Sequence, residues 1–131
     1  QVVCRELEFE EGEYRDFQKM QMARYRTMSR SGHGDWYGAF IEQRLVADLG
    51  LYHHEGVGRF QSVETHPDFR RRGIAGTMIV EASRQAMEKY SLHTLVIVAS
   101  QDSDPAHLYT SLGFELTEKQ VGLEWWPSLQ E

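Results

Sequence analysis

The sequence predicts an α/β (α+β) protein, a sheet with helices packed on it. Three observations carry this expectation. Residues 35–65 read as strands between turn signals, Trp36 to Ile41 by aromatic and β-branched character and Leu45 to Leu51 by apolar–polar alternation. A long amphipathic helix pattern follows, with Ile74, Met78, Ile79, Ala82, Ala86 and Tyr90 on one face. Leu95 to Ala99 is then a continuous apolar run, the pattern of a central strand covered on both sides.

The elements are expected in the following order. Residues 13–30 form a helix, with Tyr14, Phe17, Met20, Met22, Ala23, Tyr25 and Met28 as a broad core-facing stripe. Ser31-Gly32-His33-Gly34 breaks it. Strands follow at Trp36–Ile41, Leu45–Leu51 and Phe60–Thr65, with a turn at Gly56-Val57-Gly58 and Pro67 as the stop. The amphipathic helix and the apolar run come next. Asp104 as N-cap and Pro105 at the first helical position start a short helix, which Gly113 ends. Phe114 to Trp126 holds two more strands. No internal repeat or low-complexity tract interrupts the order, and 131 residues suit one domain with its own core.

Composition narrows the function classes. The chain is 40% hydrophobic and 26% charged, as soluble globular proteins are. Its net charge of −6 opposes binding to a phosphate backbone, so no nucleic-acid partner is expected. The same balance suits a cationic substrate, and it also serves plain solubility. Cys4 is the one cysteine, so no internal disulfide forms and a reducing, cytoplasmic setting fits. The apolar runs are too short for a bilayer, and QVVCRELEF lacks the pattern of a secretory signal, so no membrane partner is expected. The chain opens on Gln1, which leaves an upstream extension open.

The chemistry-bearing stretch is Arg70-Arg71-Arg72-Gly73-Ile74-Ala75-Gly76, between a strand and the long helix. Glycines at a helix N-terminus leave backbone N–H groups uncovered, and the helix dipole favours an anion there. Three arginines add positive charge. A P-loop needs a Gly-Lys-Ser or Gly-Lys-Thr ending, and a dinucleotide fingerprint needs three spaced glycines; neither is present. Taken alone, the stretch reads equally as a pyrophosphate cradle or as a solvated charge run.

A second block settles the choice by resemblance. Arg70-x-x-Gly73-x-Ala75 resembles the (Gln or Arg)-x-x-Gly-x-(Gly or Ala) motif of the GNAT superfamily of N-acetyltransferases, and Val63 to Phe69 resembles its lead-in strand. Leu108-Tyr109-Thr110-Ser111-Leu112-Gly113-Phe114 is similar to the family's Leu-Tyr-x-x-Leu-Gly-Phe helix end. One helix and one strand separate the two blocks, as in the family. The resemblance covers roughly residues 35–126; residues 1–9 do not show the family's usual first strand. It implies a mixed, mostly antiparallel sheet whose fourth and fifth strands splay apart.

It also implies roles. Acetyl-coenzyme A is the expected co-substrate, with no metal. The backbone around Arg70, Arg71, Arg72, Gly73, Ile74, Ala75, Gly76 and Thr77 would hold its pyrophosphate. The strand at Val63 and Thr65 would pair with its pantetheine arm. Tyr109 stands where the family has its general acid, able to protonate the leaving thiolate. Glu64, beside the expected acetyl site, is the first candidate for the base, with Glu55, His53 and His54 as rivals. His53 and His54 are neighbours on a strand and point to opposite faces, which argues against a shared metal. Ile97 stands where relatives that acetylate protein N-termini place a glutamate, which weakens that reading.

The acceptor is therefore expected to be a small cationic amine, bound between the first helix, the Trp36–Ile41 strand and the C-terminal strands, near Asp35, Glu42 or Asp48. Trp125-Trp126 is a further candidate for the pocket wall. A protein lysine or N-terminus as acceptor, and a coenzyme A sensor without turnover, remain as alternatives; a homodimer is compatible with either.

Overall fold

The computed structural model describes residues 11–121 and 123. Helix α1 spans Glu11–Arg30, and the strands β1 (Gly34–Ile41), β2 (Arg44–His54) and β3 (Val57–Thr65) follow as two antiparallel hairpins. Glu42-Gln43 turns the first and Glu55-Gly56 the second; all four have positive φ, between 49° and 80°. Two-residue turns of that hand match the twist of the strands they join. The second turn thus precedes Val57 and Gly58, which the sequence had suggested as turn residues and which belong to β3.

A short 3₁₀ turn, Pro67–Phe69, leads into α2 (Ile74–Tyr90), which crosses over to β4 (Thr94–Val96). The sheet order is β1-β2-β3-β4, with β4 parallel to β3. This is the expected mixed, mostly antiparallel sheet. The expected splay is present too. β4 pairs with β3 only at Val57–Thr94, Gly58–Leu95 and Arg59–Val96, and beyond Arg59 the two segments share no ladder.

The core lies between the sheet and α2. Leu49 and Leu51 of β2, Phe60 of β3, Ile79, Ala82 and Ala86 of α2, Leu92, and Tyr109 of α3 (Asp104–Ser111) form one buried cluster. The helical face read from the sequence for α2 is the buried one. On β2, alternation sends Asp48, Gly50 and Tyr52 to the opposite face. There the Tyr52 hydroxyl donates to the Tyr25 carbonyl at 3.2 Å and lies 3.0 Å from Ser29 Oγ, and the Tyr25 ring stacks on Tyr52 at 5.1 Å. These contacts hold α1 against the sheet.

Four expectations need correction. The inner face of α1 is Gln18, Gln21, Met22, Tyr25 and Ser29; Phe17 and Met20 are half exposed. A stripe counted on apolar residues alone was too wide, because the helix meets the sheet partly through polar groups. The Leu95–Ala99 run gives an edge strand of three residues rather than a doubly covered one. Leu95, Ile97 and Ala99 pack on the core, while Val96 and Val98 are exposed. The N-cap of α3 is Ser103, whose Oγ accepts from Ala106 N at 3.2 Å, so Asp104 lies inside the helix. Finally, residues 115–121 form no strand. Cys4, Trp125 and Trp126 lie outside the described residues.

Candidate active site

The first half of the site is the turn before α2. Its fixed points are two left-handed residues, Arg71 at φ 62° and Gly73 at φ 77°. Gly73 is the N-cap and offers no side chain to the helix. The first helical backbone bond runs from Thr77 N to Gly73 O at 3.1 Å, and the N–H groups before it, back to Arg71, take no backbone acceptor among the described residues. A Cβ on Gly73 would meet no atom within 4 Å, so the approach to these donors is open. An array of free N–H groups at the positive end of a 17-residue helix fits a pyrophosphate.

The arginines do different things around this turn. Arg70 Nε donates to Thr65 O at 3.1 Å, tying the turn to the end of β3. The Arg72 guanidinium lies over the Phe69 ring at 5.1 Å, with Arg44 also on that ring at 5.3 Å. Arg71 is exposed. Thr77 Oγ1 donates to Gly73 O at 2.9 Å, so its hydroxyl proton serves the helix start. A cleft of about 240 Å³ opens beside Arg72, Gly73, Ile74 and Thr77.

The two sequence blocks meet in space. Gly76, in the first turn of α2, faces Leu108 of α3 and Leu112, which caps that helix, at ordinary contact distance from where its Cβ would stand. Tyr109, next to Leu108, is 8% exposed and packs edge-on against Phe114 at 6.3 Å; Phe114 in turn meets Phe60 of β3 at 6.2 Å. Tyr109 thus stands by the strand that splays from β4. Burial raises its pKa, so the phenol keeps its proton at neutral pH. Val63 packs on the same core, and Thr65 pairs with Ala47.

The second half is a cleft of about 450 Å³ on the α1 face of the sheet. Gln18, Gln21, Met22 and Tyr25 of α1 form one wall, Trp36, Gly38 and Phe40 of β1 another, and Leu45, Asp48, Ser62 and Glu64 complete it. Among the described residues Asp48 and Glu64 are its only charged lining residues, and they are directly opposite each other in the β2–β3 ladder. Glu64 reaches this face through a bulge. Gly50 pairs with Gln61 and Asp48 with Glu64, so β3 carries one extra residue between them, at Ser62 with φ 48°. Without that residue, alternation from buried Phe60 would turn Glu64 toward α2.

Asp48 is held by Trp36, whose Nε1 donates to Asp48 Oδ2 at 3.1 Å. Burial raises the Asp48 pKa, and the indole bond pulls it partly back. Trp36 can lie low because its ladder partner is Gly50; a Cβ there would come within 2.5 Å of the ring. Tyr25 covers Trp36 from the helix side at 5.0 Å.

The other acidic candidates are elsewhere. Asp35 Oδ2 accepts from Lys89 Nζ at 3.1 Å and from the Tyr90 hydroxyl at 2.6 Å, at the far end of α2. Glu42 is in the exposed β1–β2 turn. Glu55, His53 and His54 sit at the β2–β3 turn, about 20 Å along β2 from Asp48. The His53 ring packs at a tilt against Tyr90, 4.1 Å between centroids, and His54 is exposed beside Glu55. The sequence put the acceptor between the first helix and the Trp36–Ile41 strand, but it did not single out Tyr25, Trp36 and Phe40, which line the cleft there. Their aromatic character was visible, but which face of the sheet they serve depends on where α1 docks. Among the described residues no three histidine, cysteine or acidic side chains are grouped to hold a metal ion, and no helix is long and apolar enough to cross a membrane.

Known proteins share this fold. A predicted acetyltransferase from Clostridium acetobutylicum, solved with acetyl-CoA, superposes with a TM-score of 0.68 at 20% identity, over 83% of this chain and 75% of that one. Aminoglycoside 6′-N-acetyltransferase AAC(6′)-IG from Acinetobacter haemolyticus gives 0.64 at 22%, over 84% and 82%. Aminoglycoside N-acetyltransferase AAC(6′)-Iy in complex with CoA gives 0.66 at 18%, over 83% and 88%. At these identities the likeness is one of fold. No curated protein sequence matches the chain. The family model described as FR47-like protein matches residues 37–123, which span both sequence blocks, most of β1 and the whole of β2, β3 and β4. The chain therefore belongs to the FR47-like family, of the GNAT type of acetyltransferase.

Proposed function

We propose that this protein transfers an acetyl group from acetyl-CoA directly to a primary amine of a small cationic molecule. The observation that carries the acceptor reading is the cleft under α1, whose only charged lining groups among the described residues are two carboxylates set among aromatic rings. A cation in such a cleft gains both charge pairing and contact with ring faces. A cleft of about 450 Å³ also suits a small molecule better than a polypeptide.

Acetyl-CoA supplies the activated acyl carbon: the amine nitrogen bonds to it, its bond to sulfur breaks, and one proton is released overall from the ammonium. The chain's residues do the rest. The free N–H groups from Arg71 to Gly76 hold the pyrophosphate, with Arg70, Arg72 and Thr77 shaping the turn. The open edge of β3 around Val63 and Thr65 receives the pantetheine arm. Glu64 takes the proton that the amine must lose before it attacks. Tyr109, kept protonated by burial, donates to the departing sulfur. Cys4 as the one thiol suits a reducing cytoplasm.

A panel of primary amines mixed with acetyl-CoA, read by release of free thiol, tests the proposal. Turnover confined to cationic acceptors supports it. Turnover only with carboxylate-bearing acceptors or with peptide N-termini contradicts it.

A further inference from the structure

We propose that neutral His66 is a positioning residue for the cofactor turn: its imidazole holds the backbone that leads into Arg71–Gly76, and a proton on the ring releases it. This rests on the reading above that coenzyme A binds at that turn.

Arg71 sits at φ 62°, a left-handed conformation unfavourable for a residue with a side chain. Such a residue persists only where its surroundings hold it. Both neighbours are tied down. Arg70 Nε donates to Thr65 O at 3.1 Å, and the Arg72 guanidinium rests on the Phe69 ring at 5.1 Å. Thr65 and Phe69 are thus the anchors, and His66 fixes the chain between them. Its N–H donates to Val46 O at 2.8 Å, and its carbonyl accepts from Phe69 N at 2.9 Å. Its ring meets the Phe69 ring edge-on at 5.8 Å. Its Nδ1 accepts from Asp68 N at 3.2 Å and so caps the Pro67–Phe69 turn.

The cap depends on the protonation state of the ring. A neutral imidazole has one accepting nitrogen, and an imidazolium has none. With Nδ1 accepting from Asp68, Nε2 carries the hydrogen and faces Arg44 Nη2 at 3.3 Å. The charged groups that face the ring are Arg44 from β2 and Asp68 within the turn, whose carboxylate lies 3.8 Å from Nδ1. Arg44 and Arg72 meet on the Phe69 ring beside it. A proton on Nδ1 ends the cap and sets a second positive charge against Arg44. It also draws the ring toward the Asp68 carboxylate. The His66 side chain is 26% exposed, so solvent protons reach it. Loss of the cap loosens Phe69 and with it Arg72, the residue before Gly73. Coenzyme A should therefore bind more weakly on acidification. An added positive charge acting by attraction alone would strengthen binding of an anion, so the sign of the effect separates the two.

The test is coenzyme A affinity, by calorimetry, from about pH 5 to pH 8, where histidine side chains change charge. Wild type is compared with His66→Asn, which offers an oxygen to the Asp68 N–H at every pH, and with His66→Ala, which offers none. The ligand's own titration is common to all three. At the alkaline end His66→Asn should bind like wild type, and His66→Ala about threefold to tenfold more weakly, the worth of one hydrogen bond. At the acid end wild type should fall below His66→Asn by about the same factor. A ratio of wild type to His66→Asn that stays constant, or rises on acidification, overturns the inference. So does a His66→Ala protein that binds like wild type. If coenzyme A does not bind, the functional reading fails. In that case, or if a variant does not fold, amide exchange in wild type decides this inference separately. Protection of the Asp68 N–H that is lost on acidification while β2 and β3 keep theirs upholds it. A turn that keeps its protection, has none, or loses it only together with the strands overturns it.

Discussion

The Trp36 indole donates to Asp48 across the β1–β2 ladder at 3.1 Å, one step along from the register pair Trp36 makes with Gly50. The bond exists because Gly50 has no side chain. The ring settles onto the bare backbone of β2, and its N–H then reaches the next residue on that face. Gly50→Ala puts a methyl group within 2.5 Å of the ring. The ring must shift and Asp48 loses its anchor. Overpacking of this kind costs about 1–3 kcal/mol. We expect a fall in Tm together with a higher KM for the amine, measured by thermal unfolding and steady-state kinetics. An unchanged KM would show that Asp48 does not depend on Trp36.

Asp48 should also show in the pH dependence of stability. Its folded pKa lies above the ordinary value of 3.8, chiefly through burial. Between those two values the folded state binds more protons than the unfolded state, so stability falls as pH rises through the interval. Asp48→Asn does not ionise and escapes this loss. Its Tm should match wild type at pH values below the interval and exceed it at neutral pH. Unfolding curves across the acid range check this. A variant less stable than wild type at neutral pH would mean that the carboxylate stabilises the fold there.

Tyr109→Phe isolates the phenol. The hydroxyl makes no hydrogen bond among the described residues, while the ring fills the core beside Phe114. The variant should keep its Tm and its affinity for acetyl-CoA and lose about 10²–10⁴-fold in kcat, the usual span for a general acid. Wild-type kcat with an active amine would leave Tyr109 as a packing residue.

Gly73→Val addresses the other half of the site. A residue with a side chain pays about 1–2 kcal/mol at φ 77°, and its methyl groups enter the open space through which the pyrophosphate must come. Calorimetry should show binding of coenzyme A weakened by about tenfold or more. Unchanged affinity would move the cofactor away from this turn.

Much of this was legible in the sequence because it depends on local rules. The α2 face, the positive-φ glycine before it and the Leu108–Phe114 helix end are set by residues close together in the chain. Asp48 was assignable to the non-core face of its strand by alternation alone. Glu64 was not, since its face depends on the extra residue at Ser62, and a bulge leaves no mark that alternation can read. Which side chains of the first helix and the Trp36–Ile41 strand face the cleft was hidden for a related reason. Trp36 and Phe40 look like any strand aromatics until α1 docks over them. The misread edge strand follows from the same limit. Leu95 to Ala99 is apolar throughout, but a periodicity cannot say how many neighbours a strand has.

The account stands on the cleft under α1 being where the amine reacts. Steady-state kinetics of Glu64→Gln, with the best amine from the panel and with coenzyme A affinity measured alongside, test this most directly. The account predicts a loss in kcat of about 10²–10⁴-fold with cofactor affinity unchanged. A variant that acetylates the amine at the wild-type rate would contradict it.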